Sequence, residues 1–390
     1  MQINKKILLF AISQFLTVGF YSFSIGFLPM YLADIGQSST EIALVNLCST
    51  LVTMFTGVLI LQLVSPRLNA SFLLKVLSVL TVPLFLYFLY SKSLFAVSFS
   101  WSLFVFFSLA SQILLDVQLL RSNERGEFRY ERVRVWGSIG FIFFAFILGV
   151  IFDSYGSILS THSILGLVLL RSLITLKVAS YVETPTVSQV SSGLLSQVFK
   201  VPVLLLLVTI GLNLISHAPL YVYQSLYFRA LGWSNSEISW AWNLSVLAEV
   251  AFFLYFKRIE SYFKLETVLL VSLIFTSLRW LVMASTTNFY LLLLSELLHA
   301  FSFGGCFLAS VRLAFQYFPE PYKGKSQGIL TLFGTGLGSL IGRYGVKEIG
   351  SSYGSYAEYD QMFLIAFWVS MVSCVVGVGL LRVGIGIGRE

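Results

Sequence analysis

The chain alternates long apolar runs with short polar breaks. The runs lie at about 7–32, 41–64, 72–91, 94–118, 135–153 and 160–181, then at about 201–228, 236–256, 265–284, 288–314, 326–344 and 361–383. A bilayer core about 30 Å thick is crossed by about 20 apolar residues in helical form, so each run predicts one membrane-spanning helix. Inside lipid the backbone has no water to bond to, which leaves the helix as the form such runs must take. Lys5 and Lys6 precede the first run. That run is too long for a signal-peptide core, and no small-residue cleavage site follows it. A polar stretch from Glu183 to Lys200, containing TPTVSQVSSG, divides six runs from six. The pattern predicts an all-α membrane protein with twelve transmembrane helices in two pseudo-symmetric six-helix bundles. Their expected extents are 1–185 and 201–390, with a cytoplasmic linker over 186–200.

Composition changes this picture by exclusion. Of 390 residues, 57% are hydrophobic and 11% charged, against about 25% charged in ordinary soluble domains. Too few charges remain to cover a water-facing surface, which excludes a soluble enzyme, a disordered chain and a nucleic-acid-binding domain. The net charge of +7 takes its meaning from placement. With the N-terminus inside, eighteen of the 25 Lys and Arg residues fall in cytoplasmic segments and four (Lys92, Arg229, Arg343, Lys347) in external ones. Arg171, Arg279 and Arg312 fall within helices. This bias predicts cytoplasmic N- and C-termini. Cys48, Cys306 and Cys374 all lie in apolar runs and read as small buried hydrophobes.

The remaining intramembrane ionisable groups are costly and therefore mark candidate sites. They are Asp116 in helix 4, Arg134 at the start of helix 5, Glu249 in helix 8, Arg279 in helix 9, and Glu296 and His299 in helix 10. Glu296 and His299 are three residues apart and share a helix face. Opposite charges offer the pairs Asp116 with Arg134, and Glu249 or Glu296 with Arg279. The same pairs could serve only to lock helices together. Burial raises a carboxylate pKa and a neighbouring Arg lowers it, so a moving Arg can switch a proton on and off. His299 adds a group able to titrate near neutral pH. Arg312 is placed to snorkel toward the cytoplasm, and Arg171 has no acidic partner that sequence can name.

Polar stripes at helical spacing add direction. Gln14, Thr17, Tyr21 and Ser24 line one face of helix 1, and Asn213, His217, Tyr221 and Gln224 one face of helix 7. Such faces pack inward or line water rather than meet lipid. Trp240, Trp242 and Asn243 in helix 8, with Phe141 in helix 5, can wall a ligand. Gly334, Gly336 and Gly338 spell GTGLG, but no strand precedes them. With Gly342 they read as small residues for close helix packing. Asn69-Ala-Ser71 matches a glycosylation pattern in a segment expected to be cytoplasmic. No metal-ligand spacing, catalytic triad or phosphate loop stands out, so no cofactor, metal or catalytic residue is expected.

Three stretches carry a resemblance. YERVRVWGSIGFIFFAFILGVIFD, from Tyr130, resembles the start of helix 5 in the lactose permease branch of the major facilitator superfamily. It is more similar still to the phenylpropionate permease and nucleoside–proton symporter relatives. ELLHAFSFGGCFLASVRLAF in helix 10 resembles their "LLH…F" segment, and SHAPLYVYQSLYFRALGWSNSEISWAWNLSVLAEV, from Ser216, their helix 7–8 region. The resemblance implies two six-helix bundles around a central cavity lined by helices 1, 4, 7 and 10. It implies that Asp116 and Arg134 are the carboxylate–arginine pair that binds sugar in lactose permease. Phe141 stands where that permease has its sugar-stacking tryptophan. Arg279 and His299 match its proton-coupling arginine and histidine. The chain departs from the pattern at Ser302, where a carboxylate is usual, and at Val246, the position of the essential glutamate, with Glu249 about a turn beyond. The loop LVSPRLNA also lacks the usual acidic and paired basic residues.

The expected activity is secondary active transport, a proton-coupled symport of a small organic solute by alternating access. An aromatic acid, a nucleoside or a saccharide would be the solute, in that order. Substrate-binding candidates are Asp116, Arg134, Phe141, Tyr21, His217, Tyr221, Gln224 and Asn243. Proton-coupling candidates are Glu249, Arg279, Glu296 and His299. The expected partners are the solute, a proton and the lipid bilayer, not nucleic acid. The protein is expected as a monomer in the bacterial cytoplasmic (inner) membrane. An efflux antiporter of amphipathic compounds is the alternative, and a non-transporting receptor or embedded enzyme a remote one.

Overall fold

In the computed structural model the described residues are 2–64, 69–184, 194–319, 322–352 and 355–387, and they are almost entirely helical. Residues 186–193 of the expected linker, and 65–68 of the loop LVSPRLNA, lie outside the described residues. The chain forms two compact units. One comprises Met1–Ser188 with Ser234–Trp240, the other Gln189–Trp233 with Ala241–Glu390.

The first unit holds α1 (Lys5–Asp34), α2 (Ser39–Val64), α3 (Ala70–Tyr90) and α4 (Leu94–Glu124). A continuous stretch, Tyr130–Val178, follows. Gly156 divides it with φ 72° and ψ 165°, a backbone region closed to residues bearing a Cβ. The parts before and after are α5 (130–155) and α6 (157–178). The Ser157 hydroxyl donates to Asp34, which ties the corner to the end of α1. Asn69 caps α3, its Oδ1 accepting from the Ser71 and Phe72 amides at 2.8 and 3.3 Å. The apparent glycosylation pattern is thus a helix start. The aromatic rings of Phe20, Phe23, Phe85, Phe88, Trp101 and Phe104 interlock in one half of the unit. Phe10, Leu74, Leu115 and Val178 build the core of the other.

The second unit holds α7 (Val201–Ala230), α8 (Asn235–Tyr262, whose first residues belong to the first unit), α9 (Leu265–Ser285), α10 (Phe289–Tyr317), α11 (326–350) and α12 (Asp360–Ile387). The helix α7 breaks at His217. Pro219 lacks the N–H that would continue the ladder, and its ring crowds the preceding turn. Two helices of this unit widen into π-turns, α10 at Ala300–Gly305 and α11 at Leu330–Gly336, as α1 does at Phe23–Phe27. Such turns occur often at functional sites.

Ten described stretches are long and apolar enough to cross a membrane. The difference from twelve has two causes. The corner at Gly156 leaves α5 and α6 as one stretch, Tyr130–Tyr181, and α11 is not among the ten. That last helix is broken by its π-turn and carries Arg343, Lys347 and Glu348. It also runs on to Gly350, past the run expected to end at 344, so Arg343 and Lys347 are both helix residues.

The small-residue stripe performs the close packing expected of it. A Cβ on Gly338 would sit 2.6 Å from the Gly211 carbonyl oxygen, and one on Gly342 would sit 2.9 Å from that of Ile215. Glycine therefore lets α11 lie backbone to backbone on α7.

Candidate functional site

Within the second unit, side chains from α7, α8, α9 and α10 converge on one guanidinium. Arg279 Nη2 donates to Glu296 Oε2 at 2.5 Å, and neither side chain is exposed. The Nη1 group lies 2.9 Å from His299 Nδ1. A guanidinium can only donate, so Nδ1 is the acceptor, and in the neutral ring the proton sits on Nε2. That nitrogen faces Glu249 Oε2 at 3.5 Å. Glu296 also accepts from Gln224 Nε2 at 3.2 Å and from the Ser245 hydroxyl. Phe303, one turn past His299, stacks parallel to its ring at 5.2 Å. The choice left open for Arg279 falls on Glu296, while Glu249 meets His299.

Three polar atoms in this cluster are buried with no hydrogen-bond partner among the described residues: Arg279 Nε, Gln224 Oε1 and Ser302 Oγ. Ser302 stands where the resemblance expects a carboxylate. His217 and Asn243 are buried as well. His217 Nδ1 lies 2.7 Å from the Asn213 carbonyl, and its ring meets Trp280 edge-on. Trp280 Nε1 donates to Ser216 and Trp242 Nε1 to Ser225, which pins both indoles to α7.

The first unit holds a smaller polar group. Asp116 Oδ1 accepts from Gln14 Nε2 and Gln112 Nε2, each at 2.8 Å. Arg134 Nη1 donates to Gln14 Oε1 at 3.1 Å. The expected direct pair of Asp116 with Arg134 is not made, because the Gln14 amide stands between them and turns its N–H to the carboxylate and its carbonyl to the guanidinium. Asp116 is half-buried and Arg134 exposed. Phe141 is buried. Tyr21 is half-buried and lies within the electrostatic reach of Asp116, Arg134 and Arg171.

Arg171 gains an account that sequence did not supply. Its side chain is buried between α6, α1 and α4. Nε donates to Thr17 at 3.2 Å, Nη1 to the Ser108 hydroxyl at 2.9 Å and Nη2 to the Ser108 carbonyl at 3.2 Å. Arg312 is 60% exposed and reaches Glu260 at 3.8 Å, in keeping with an end-of-helix cation.

At the ends of the spans, two ion pairs tie the unit's loops. Lys6 meets Glu127 at 2.5 Å, and Arg125 clasps both carboxylate oxygens of Glu183 at 2.7 and 2.6 Å. The Lys6 hydrogen bond holds the Glu127 carboxyl below its ordinary pKa, and the Arg125 hydrogen bond does the same for Glu183.

Sequence reading overlooked Gln112 and Ser245, which bond to Asp116 and Glu296. Gln112 precedes Asp116 by four residues, a helical neighbour that spacing alone can find. Ser245 carries no such signal.

Two bundles of membrane-crossing helices with ionic side chains buried inside them define a membrane transporter of the major facilitator fold. Residues 7–346 match the MFS_1 like family, and the chain belongs to it. It is 29% identical over 330 residues to the "Probable 3-phenylpropionic acid transporter" of Escherichia coli (strain K12), over 77% of this chain and 81% of that one. Among solved structures it superposes on the nucleoside transporter NupG with a TM-score of 0.82 at 15% identity, covering 97% of this chain and 99% of that one. It superposes on the POT family transporter PepTSo with a TM-score of 0.76 at 12% identity, covering 100% and 98%. The chain is an integral, multi-pass membrane transporter of a small molecule, not an enzyme.

Proposed function

We propose that the protein is a proton-coupled symporter that takes up a small organic solute by alternating access. The observation that carries this reading is the buried series Glu296–Arg279–His299–Glu249, three titratable side chains around one guanidinium. Glu249 is the exposed end of the series, with 19% of its side chain accessible, and Glu296 the closed end. A proton taken up by Glu249 removes the carboxylate charge that faces the His299 Nε2–H, and through the imidazole alters how firmly Arg279 is held. Loss or gain of a charge in so enclosed a place shifts the balance between conformations strongly.

The solute is assigned to Asp116, Arg134, Tyr21 and Phe141 in the first unit and to His217, Tyr221, Gln224 and Asn243 in the second. Gln14 joins the first set, because it orients both Asp116 and Arg134. An aromatic acid is the favoured class, supported by the name of the Escherichia coli relative, ahead of a nucleoside or a saccharide. The protein works as a monomer in the bacterial inner membrane with both termini in the cytoplasm, as the Lys and Arg distribution favours.

The test is uptake of labelled 3-phenylpropionate, uridine and lactose into proteoliposomes under an imposed pH gradient. Glu249→Gln and His299→Gln each abolish gradient-driven accumulation while solute exchange at equal pH continues. Accumulation at the wild-type level in both variants would disprove the proton assignment.

A further inference from the structure

One half-buried arginine of the second unit has no use in the series above. Arg343, on α11, makes neither a hydrogen bond nor an ion pair among the described residues, and its Nε is buried with no partner. Its guanidinium lies over the ring of Tyr221 on α7, 5.9 Å from the centroid. The glycine stripe creates this contact, because Gly342 packs against Ile215 and Ala218 and so brings the next residue of α11 within reach of α7.

The place is deep in the second unit. Tyr221 stands one turn from Gln224, whose amide bonds to Glu296, so Arg343 shares the level of the ionic series. Tyr221 also feels Glu249 and Arg279. Its other ring contact is His217, stacked at 6.4 Å. Both Tyr221 and Arg343 are half-buried, and the Tyr221 hydroxyl has no hydrogen-bond partner among the described residues. The nearby cation on the same helix behaves differently: Lys347 is matched by Glu348 at 2.6 Å. Arg279 likewise has Glu296.

A guanidinium presents five donors and a full charge, and leaving a buried one of them unmet is expensive. The chemistry that meets them is a carboxylate, which takes two parallel N–H bonds from an arginine. A third bond from a phenol hydroxyl completes the set. We infer that Arg343 and Tyr221 form the clamp for the carboxylate of a monoanionic solute. The inference rests on the proposal that the chain carries a small organic solute, and it narrows that solute to a monocarboxylate.

The test measures ligand affinity by thermal shift of the purified protein with 3-phenylpropionate, its neutral amide 3-phenylpropanamide, uridine and lactose. The wild-type protein binds the carboxylate at least about tenfold more tightly than the amide, the scale of a charge-assisted hydrogen bond. In Arg343→Gln this ratio collapses to within about twofold, since the charge that distinguishes the two ligands is gone. Arg343→Lys keeps the charge but loses the two-pronged geometry and falls between them. Tyr221→Phe weakens carboxylate binding and preserves its preference over the amide. If Arg343→Gln fails to fold, the Arg343→Lys and Tyr221→Phe results decide. An unchanged carboxylate-to-amide ratio in Arg343→Gln, or an unchanged ratio in Arg343→Lys together with undiminished carboxylate binding in Tyr221→Phe, overturns the clamp. Binding of uridine or lactose without any carboxylate also overturns the clamp, yet leaves the solute-transport proposal standing. That proposal fails separately, when reconstituted wild-type protein moves none of the solutes.

Discussion

Arg279 Nη2 and Glu296 Oε2 lie 2.5 Å apart with both side chains fully shielded from solvent. Forming such a pair is expensive in desolvation, and breaking it by removing one partner is more so, because the other charge is left buried alone. Arg279→Gln is therefore expected to destabilise the protein by about 3–5 kcal/mol. Glu296→Gln in the Arg279→Gln background removes the orphaned charge while Gln224 and Ser245 stay as hydrogen-bond partners, and recovers at least half of that loss. Thermal unfolding midpoints in detergent read both outcomes. A double variant no more stable than Arg279→Gln alone would refute the pairing as the source.

Arg171 and Arg134 are both intramembrane arginines by sequence, yet they should differ in what they hold up. Arg171 is buried with three hydrogen bonds to α1 and α4, and Arg134 is exposed and bonds to Gln14. Arg171→Ala is expected to cost about 3 kcal/mol, given the number of charged hydrogen bonds lost. Arg134→Ala should cost under about 0.5 kcal/mol, as exposed substitutions do. Its effect should appear in solute affinity instead. Unfolding midpoints together with ligand titrations separate the two.

The glycine stripe of α11 offers a contrast within one helix. An added methyl at Gly338 or Gly342 meets α7 backbone at 2.6–2.9 Å, whereas one at Gly345 meets nothing within 4 Å. Gly338→Ala and Gly342→Ala should each destabilise by about 1–3 kcal/mol through overpacking. Gly345→Ala should be neutral or stabilising by up to about 1 kcal/mol from helix propensity. Equal midpoints for all three variants would show that α11 does not press on α7.

Two carboxylates outside the membrane set a pH response. Glu127 and Glu183 are held below their ordinary pKa of 4.5 by Lys6 and Arg125. A carboxylate whose folded-state pKa is depressed contributes stability that is fully present above its unfolded pKa. That contribution is lost as pH falls through the folded value. Thermal stability should therefore drop below about pH 4.5. Lys6→Gln and Arg125→Gln should each make the drop shallower and leave the midpoint at pH 7 nearly unchanged, since partly exposed pairs contribute little. Unfolding midpoints between pH 3 and pH 7 test this.

Much of the site was legible as a list of residues and little of it as an arrangement. Spacing placed Glu296 and His299 on one helix face and marked Glu249 and Arg279 as anomalies in lipid. It did not show that Arg279 stands between Glu296 and His299, with Glu249 reached only through the imidazole. Charge matching suggested Asp116 against Arg134, and the structure inserts Gln14. A neutral amide serves both ends because it carries a donor and an acceptor, a possibility that charge matching does not consider. Arg343 was overlooked because a cation near the end of an apolar run reads as a topology signal.

The sequence by itself determined the helices, their bundling six and six, and the residues that lipid would not tolerate. Lipid imposes those constraints locally: a fixed thickness, no backbone partner but the chain itself, and a heavy cost for each charge. Only the tertiary structure decided the partners. Which side chains meet depends on how helices distant in sequence are rotated and how closely they approach. Backbone features set both, such as the corner at Gly156, the break before Pro219 and the glycines that seat α11 on α7. Arg171, Arg279 and Arg343 look alike as letters in apolar runs. Hydroxyls surround the first, a carboxylate meets the second, and the third lies on a tyrosine ring with its charge unanswered.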